Sequence, residues 1–224
     1  MILPWIMIVV AYFIGGIPVG LLVGRSRGVN LREVGSGNIG ASNVMRTLGT
    51  KLGIVVWLAD LLKGLVPVVW ARQLLHNLDN PWPYVAAVAV AAVLGHCFSP
   101  YLGLRGGRGV STSLGATLAL DWRVGLLAFA VWVFVLILSR YISVSSILAG
   151  ISVPVFFALL KPGIPAAQMP FLAAGVALAL LILIKHLPNL QRLFSGTESR
   201  VGQKAEAPLA EGVEGGPESE TEYR

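Results

Sequence analysis

Residues 109–120 read Gly-Val-Ser-Thr-Ser-Leu-Gly-Ala-Thr-Leu-Ala-Leu. The run carries no charge, yet it is well short of the ~20 residues that cross a bilayer as a helix. A re-entrant or buried helix suits it as well as a full span. Its reading decides the topology, because it is the fourth of seven apolar segments: 2–24, 51–71, 83–98, 109–120, 124–138, 146–160 and 170–184.

Lysine and arginine placement arbitrates. With seven alternating crossings and the N-terminus outside, Arg72, Arg123 and Lys161 fall on one face and Lys63 within a span. The other 13 of the 17 Lys and Arg share the opposite face, a strong positive-inside bias. Were 109–120 not to cross, Arg140 and the basic C-terminal region would change sides. The expected fold is therefore an all-α integral-membrane bundle of about seven transmembrane helices. Its N-terminus lies outside and its C-terminus in the cytoplasm.

Composition agrees. The chain is 55% hydrophobic and 12% charged, against about 25% charged in a soluble domain. Its one cysteine, Cys97, makes no internal disulfide framework. No Lys or Arg precedes the first apolar run, whereas Arg25 and Arg27 follow it, so the run reads as a retained helix rather than a signal peptide. Two domains are expected: a membrane-embedded 1–204, and an acidic tail 205–224 whose Glu/Gly/Pro-rich composition reads as disordered. Within the second segment Asp60 and Lys63 share a helical face. They form either a structural ion pair or a polar wall of an internal cavity. Pro18, Pro67 and Pro154 are expected to kink helices.

Four polar, glycine-rich or basic stretches interrupt the apolar chain, and the charge rule puts all of them on the cytoplasmic face. The first contains Gly35-Ser-Gly-Asn-Ile-Gly40. This matches G-x-G-x-x-G, but the preceding membrane span excludes the dinucleotide βαβ context. What remains is the physics of an anion cradle. Gly35, Gly37 and Gly40 let backbone N–H groups approach closely, and Ser36, Asn38, Ser42, Asn43 and Arg46 supply donors. The second holds His96, then Arg105-Gly-Gly-Arg-Gly109 opening a helix. Arginine forks match phosphate oxygens, a helix N-terminus adds partial positive charge, and no P-loop spacing is present. In the third, 140–146, Ser143, Ser145 and Ser146 either cap a helix or donate to a phosphate. The fourth, 185–202, holds His186, Asn189 and Glu198. His186 is a candidate general base, and Glu198 a carboxylate to orient an arginine or histidine.

Taken together, 35–46, 95–96 with 106–110, Ser143 with Ser146, and His186 with Asn189 through 196–198 resemble one family: the bacterial acyl-phosphate:glycerol-3-phosphate acyltransferases (PlsY). The resemblance runs to about Lys204. It implies transfer of an acyl group from acyl phosphate to the 1-hydroxyl of sn-glycerol 3-phosphate, giving lysophosphatidic acid and phosphate, the first acylation of phospholipid synthesis. It further implies a multi-pass enzyme of the bacterial inner membrane, with its active site facing the cytoplasm. A functional link to the enzyme that makes acyl phosphate from acyl-acyl carrier protein follows. The chain departs from the family in carrying Arg105 and Arg108 where Lys is usual, Ser42 for Thr, and Lys185 where Arg is frequent. The expected catalytic set is Ser36, Arg46, His186 and Asn189. The expected substrate-binding set is Gly35, Gly37, Asn38, Gly40, Asn43, His96, Arg105, Gly106, Gly107, Arg108, Gly109, Ser143, Ser146 and Glu198. No cofactor and no nucleic acid is expected, and no metal, since His76, His96 and His186 are scattered. The alternative outside enzymology is a transporter of phosphate or another small anion. That reading calls for a midplane site and internal repeats, neither of which is legible.

Overall fold

A computed structural model describes residues 2–160 and 164–202; the expected acidic tail lies outside the described residues. Every regular element among them is helical: α1 (Leu3–Gly16), α2 (Val19–Ser26), α3 (Ala41–Leu48), α4 (Thr50–Leu74), α5 (Trp82–Cys97), α6 (Val110–Leu120), α7 (Trp122–Ser139), α8 (Ile142–Leu160) and α9 (Gln168–Phe194). Short 3-10 turns at Pro100–Leu102 and Pro165–Ala167 follow α5 and precede α9.

Six segments are long and apolar enough to cross a membrane: Leu3–Ser26, Thr50–Leu74, Trp82–Leu102, Trp122–Ser139, Ile142–Leu160 and Pro165–Phe194. The first is a single run in sequence but two helices in space. Pro18 breaks it, and the freed Ile17 carbonyl accepts from Val19 N at 3.0 Å and from Lys63 Nζ at 3.0 Å. The last helix runs ten residues beyond the expected end at 184, so His186 and Asn189 stand on α9 itself. Pro67 and Pro154 lie inside α4 and α8 without ending them.

The fourth apolar segment, α6, has 11 residues. At 1.5 Å per residue it is about 16 Å long, roughly half of a ~30 Å hydrocarbon core. Helices in lipid gain no hydrophobic energy from touching, so they associate through close backbone approach at small residues. Gly64 of α4 abuts the Thr112 carbonyl, and Gly115 of α6 abuts the Leu61 carbonyl. Arg72 Nη1 then donates to Ala119 O at 2.6 Å. These contacts seat α6 beside the second half of α4 and leave the first half without it. The same device joins α1 to α5: Gly15 lies on Ala92 and Gly95 on the Tyr12 carbonyl. Tyr12 Oη donates to Phe98 O at 2.7 Å and Ser99 Oγ to Gly16 O at 2.6 Å. α7, α8 and α9 complete the bundle, and a cavity opens among α4, α6, α7, α8 and α9.

Candidate active site

The first glycine stretch wraps around one side chain. Asn43, in the first turn of α3, is fully buried. Its Nδ2 donates to the Leu31 and Val34 carbonyls, each at 3.1 Å, and its Oδ1 accepts from Ser36 N at 2.9 Å. Gly35 and Gly37 adopt φ of +59° and +66°, the left-handed region in which a side chain is strained. A Cβ on Gly35 would also strike Asn43 Oδ1. This hub bends the loop so that Asn38, Gly40 and Ser42 face the cavity, while Ser36 stays exposed.

The second stretch folds back on the end of α5. Gly106 N donates to Cys97 O at 3.2 Å and Gly107 N to His96 O at 3.0 Å. Gly107 lies so close to the buried His96 ring that a Cβ there would overlap Nε2. Gly109, at φ +81°, turns the chain into α6. Arg32 Nη2 ties the two loops by donating to Arg105 O at 2.9 Å. Below them Asp60 pairs with Lys63 at 2.7 Å and faces His96 Nδ1 at 3.7 Å. Asp60 is therefore both things the sequence leaves open: half of a structural ion pair and part of the cavity wall.

The third and fourth stretches meet across α8 and α9. α8 begins at Ile142, so the serines sit inside its first turns instead of capping it. Ser145 Oγ donates to Tyr141 O at 2.8 Å and Ser146 Oγ to Ile142 O at 2.7 Å. His186 is buried, and its Nδ1 lies 2.8 Å from Ile182 O. A carbonyl only accepts, so Nδ1 carries the hydrogen and Nε2 keeps its lone pair. Asn189 Nδ2 donates to Glu198 Oε1 at 2.7 Å, and Arg192 Nε donates to Glu198 Oε2 at 2.9 Å. Burial pushes the Glu198 carboxyl up, but these hydrogen bonds outweigh it and hold the group below the usual carboxylate range. Val201 N donates to Arg140 O at 2.9 Å, which docks the segment after α9 on the α7–α8 turn.

The cavity measures about 180 Å³. Its polar end carries Asn38, Gly40, Ser42, His96, Arg108, Gly109, Ser146 and His186; its other walls are apolar, with Trp57, Phe129 and Trp132 on one side and Gly150, Val153, Leu178 and Ile182 on the other. Arg108 is half-buried. Burial lowers its pKa to about 10, Glu198 opposes that shift, and Arg192 and Arg46 add to it. Arg108 thus lies within reach of two other guanidiniums and one carboxylate, an excess of positive charge suited to an anion. Gly35, Ser36, Gly37, Asn43, Arg46, Arg105, Gly106, Gly107, Ser143, Asn189 and Glu198 do not line the cavity. Most of them shape the loops or brace those that do, and Arg105 is exposed. Sequence reasoning passed over Ser111 and Ser113, inside a stretch it had marked, and the three aromatic rings, which look like ordinary membrane-facing residues. It also missed Arg192 as the partner of Glu198, six residues away.

Residues 5–196 match the family model described as glycerol-3-phosphate acyltransferase. A glycerol-3-phosphate acyltransferase of Geobacter sulfurreducens is 44% identical over 196 residues, covering 87% of this chain and 96% of its own. One of Rubrobacter xylanophilus is 41% identical, covering 89% and 96%. The crystal structure of PlsY, an integral membrane glycerol 3-phosphate acyltransferase, in its glycerol 3-phosphate form superposes with a TM-score of 0.82 at 35% identity, over 89% of this chain and 96% of that one. The lysophosphatidic acid form gives 0.80 at 34%.

Proposed function

The chain belongs to the glycerol-3-phosphate acyltransferase family, and from that premise we propose how its cavity carries out acyl transfer. The protein is an integral membrane enzyme that acylates glycerol 3-phosphate. The observation that carries the mechanism is a single cavity with a cationic, hydrogen-bonding end continuous with an apolar groove. That shape fits an acyl phosphate: phosphate at the loops, chain in the groove.

An acyl phosphate is an activated mixed anhydride, so no protein nucleophile has to be acylated first. The 1-hydroxyl oxygen of glycerol 3-phosphate attacks the acyl carbon. The bond from that carbon to the bridging phosphate oxygen breaks, and phosphate leaves with its electron pair. The hydroxyl proton passes to His186 Nε2 and on to the departing phosphate. The protein supplies proximity and charge stabilisation. Asn38 from the cavity wall and Ser36 from its exposed rim donate toward the phosphate and the reacting carbonyl, while Gly35, Gly37 and Gly40 give backbone N–H groups room. Arg46 and Arg108 neutralise phosphate charge, and Arg105 attracts it from the rim. Gly106, Gly107 and Gly109 hold the second loop against His96. Asn43 sets the first loop. Ser143, Ser146 and Asn189 frame His186, and Glu198 positions Asn189.

The chemistry belongs to the cytoplasmic face of the bacterial inner membrane. Arg25, Arg27, Arg46 and Arg108 gather with the polar loops, while Arg72 and Arg123 sit at the far end. With α6 and the loop before it completing a fourth crossing, the bundle has seven, and its N-terminus is outside. The enzyme that makes acyl phosphate from acyl-acyl carrier protein supplies the donor.

The test is acyl transfer by purified protein in lipid, with hexadecanoyl phosphate and, in parallel, hexadecanoyl-CoA. Lysophosphatidate from the phosphate donor alone is the expected result. Product from the thioester alone refutes the donor assignment.

A further inference from the structure

Asp60 and Lys63 form a buried ion pair in the middle of α4, with Lys63 Nζ 2.7 Å from Asp60 Oδ1. Charges are costly in a membrane interior, and a buried pair stabilises a fold no better than well-packed apolar residues of the same volume. Packing alone therefore gives no reason for it. Its surroundings do. Lys63 Nζ also donates to Ile17 O at 3.0 Å, the carbonyl freed at the Pro18 break. That anchor on the backbone fixes the ammonium, and the ammonium fixes Asp60.

Asp60 Oδ1 also faces His96 Nδ1, at 3.7 Å. The separation exceeds hydrogen-bond length, yet Nδ1 is enclosed and has no hydrogen-bond partner among the described residues. Ile17, Pro18, Ile39, Asp60, Lys63 and His96 line one crevice, which has no room for a water molecule. The carboxylate is thus the polar group that Nδ1 meets. A carboxylate only accepts, so Nδ1 carries the hydrogen and Nε2 keeps its lone pair. Nε2 lies against Gly107, on the side of the second loop. His96 shares the polar end of the cavity with Ser42, Arg108 and Ser111. Such donors suit phosphate oxygens, but the hydroxyl hydrogens of a polyol phosphate need acceptors.

We propose that Asp60, pinned by Lys63, is a positioning residue that holds His96 in its Nδ1–H form, so that Nε2 accepts a hydrogen bond from a hydroxyl of glycerol 3-phosphate. The gap between Asp60 and His96 closes when that substrate binds, as hydrogen bonds that are long in the empty site tighten in the complex. Asp60 acts through His96 and takes no part in the bond changes. The inference rests on the acyltransferase reading above.

The first arm of the test uses the unmodified enzyme in lipid, with isotope-labelled histidine and glycerol 3-phosphate present. Nitrogen NMR separates protonated from unprotonated ring nitrogens, and a His96→Gln variant assigns the His96 signals among those of His76 and His186. A protonated Nδ1 with an unprotonated Nε2 is expected at neutral pH; a protonated Nε2 overturns the proposal. The second arm is the double variant Asp60→Leu/Lys63→Met, which removes both charges and so leaves neither buried alone. Its melting temperature should match that of the unmodified enzyme. KM for glycerol 3-phosphate should rise about tenfold, the worth of one hydrogen bond, while KM for hexadecanoyl phosphate stays unchanged. If the glycerol 3-phosphate KM does not move, or both KM values rise together, the pair is structural only and the proposal fails. Should the double variant not fold, the NMR arm decides by itself. The acyltransferase reading stands or falls separately: it fails if the unmodified enzyme makes no lysophosphatidate, whichever nitrogen of His96 carries the hydrogen.

Discussion

The two glycine loops of the candidate active site use the same residue for different reasons. In the first, Gly35 and Gly37 sit at positive φ, and the loop is held by the Asn43 side chain. In the second, Gly106 and Gly107 have ordinary φ, and what they provide is the absence of a Cβ against α5 and His96. One loop is conformationally demanding and side-chain held. The other is sterically demanding and backbone held. The difference predicts where each breaks.

The largest effect is expected at Gly107→Ala. Its methyl would enter the His96 ring, and a displacement near 1 Å at a reacting geometry costs about hundredfold in rate. kcat/KM for glycerol 3-phosphate should fall about that much. Adding His96→Gly should recover part of the loss, a coupling that a double-mutant cycle reads directly; additive losses would mean that the close approach is incidental.

Asn43→Asp comes next. It keeps the acceptor for Ser36 N but replaces two donations by repulsion from the Leu31 and Val34 carbonyls. Unsatisfying those groups costs about 1–3 kcal/mol, so thermal unfolding in detergent should occur several degrees lower and KM should rise about tenfold. An unchanged melting curve would break the idea of a side-chain-held loop.

The pH dependence sharpens the contrast, since Arg108 belongs to the second loop. Burial lowers its pKa to about 10. If, as proposed, the protonated form binds phosphate, kcat/KM should fall as pH rises through that value. Stability runs oppositely: the cost of burying this charge is present at neutral pH and disappears as the group deprotonates. Arg108→Ala should flatten the alkaline limb; a limb that survives the substitution has another origin.

The smallest effect on stability is expected at Ser36→Ala. The bond to Asn43 uses the Ser36 backbone N, and loss of an exposed hydroxyl is worth about 0.5 kcal/mol or less. The melting temperature should stay put while kcat drops about tenfold. A drop in stability would show that the hydroxyl, and not only the amide, holds the loop.

Much of this was legible beforehand. The bundle, the short fourth segment and the four polar stretches follow from apolar run length and charge, because a bilayer imposes both. Arg108, His186 and Asn38 could be picked out by residue type and local pattern. The scaffold roles of Asn43 and Glu198 could not, since residue type alone does not say whether an amide or carboxylate meets a ligand or a neighbouring backbone. Nor could the aromatic wall, as Trp57, Phe129 and Trp132 read like any lipid-facing residues until α6 is seen to stop short beside them.

The sequence by itself determined that this chain lives in a membrane, that its long apolar segments are helical, and which polar residues are worth placing in a site. Those properties depend on local composition and on the solvent around each segment. Only the tertiary structure decided that α6 lies along half of α4, that a cavity opens among α4, α6, α7, α8 and α9, and that Trp57, Phe129 and Trp132 line it. Those outcomes depend on close contacts between glycines and carbonyls far apart in the chain, which no local pattern encodes.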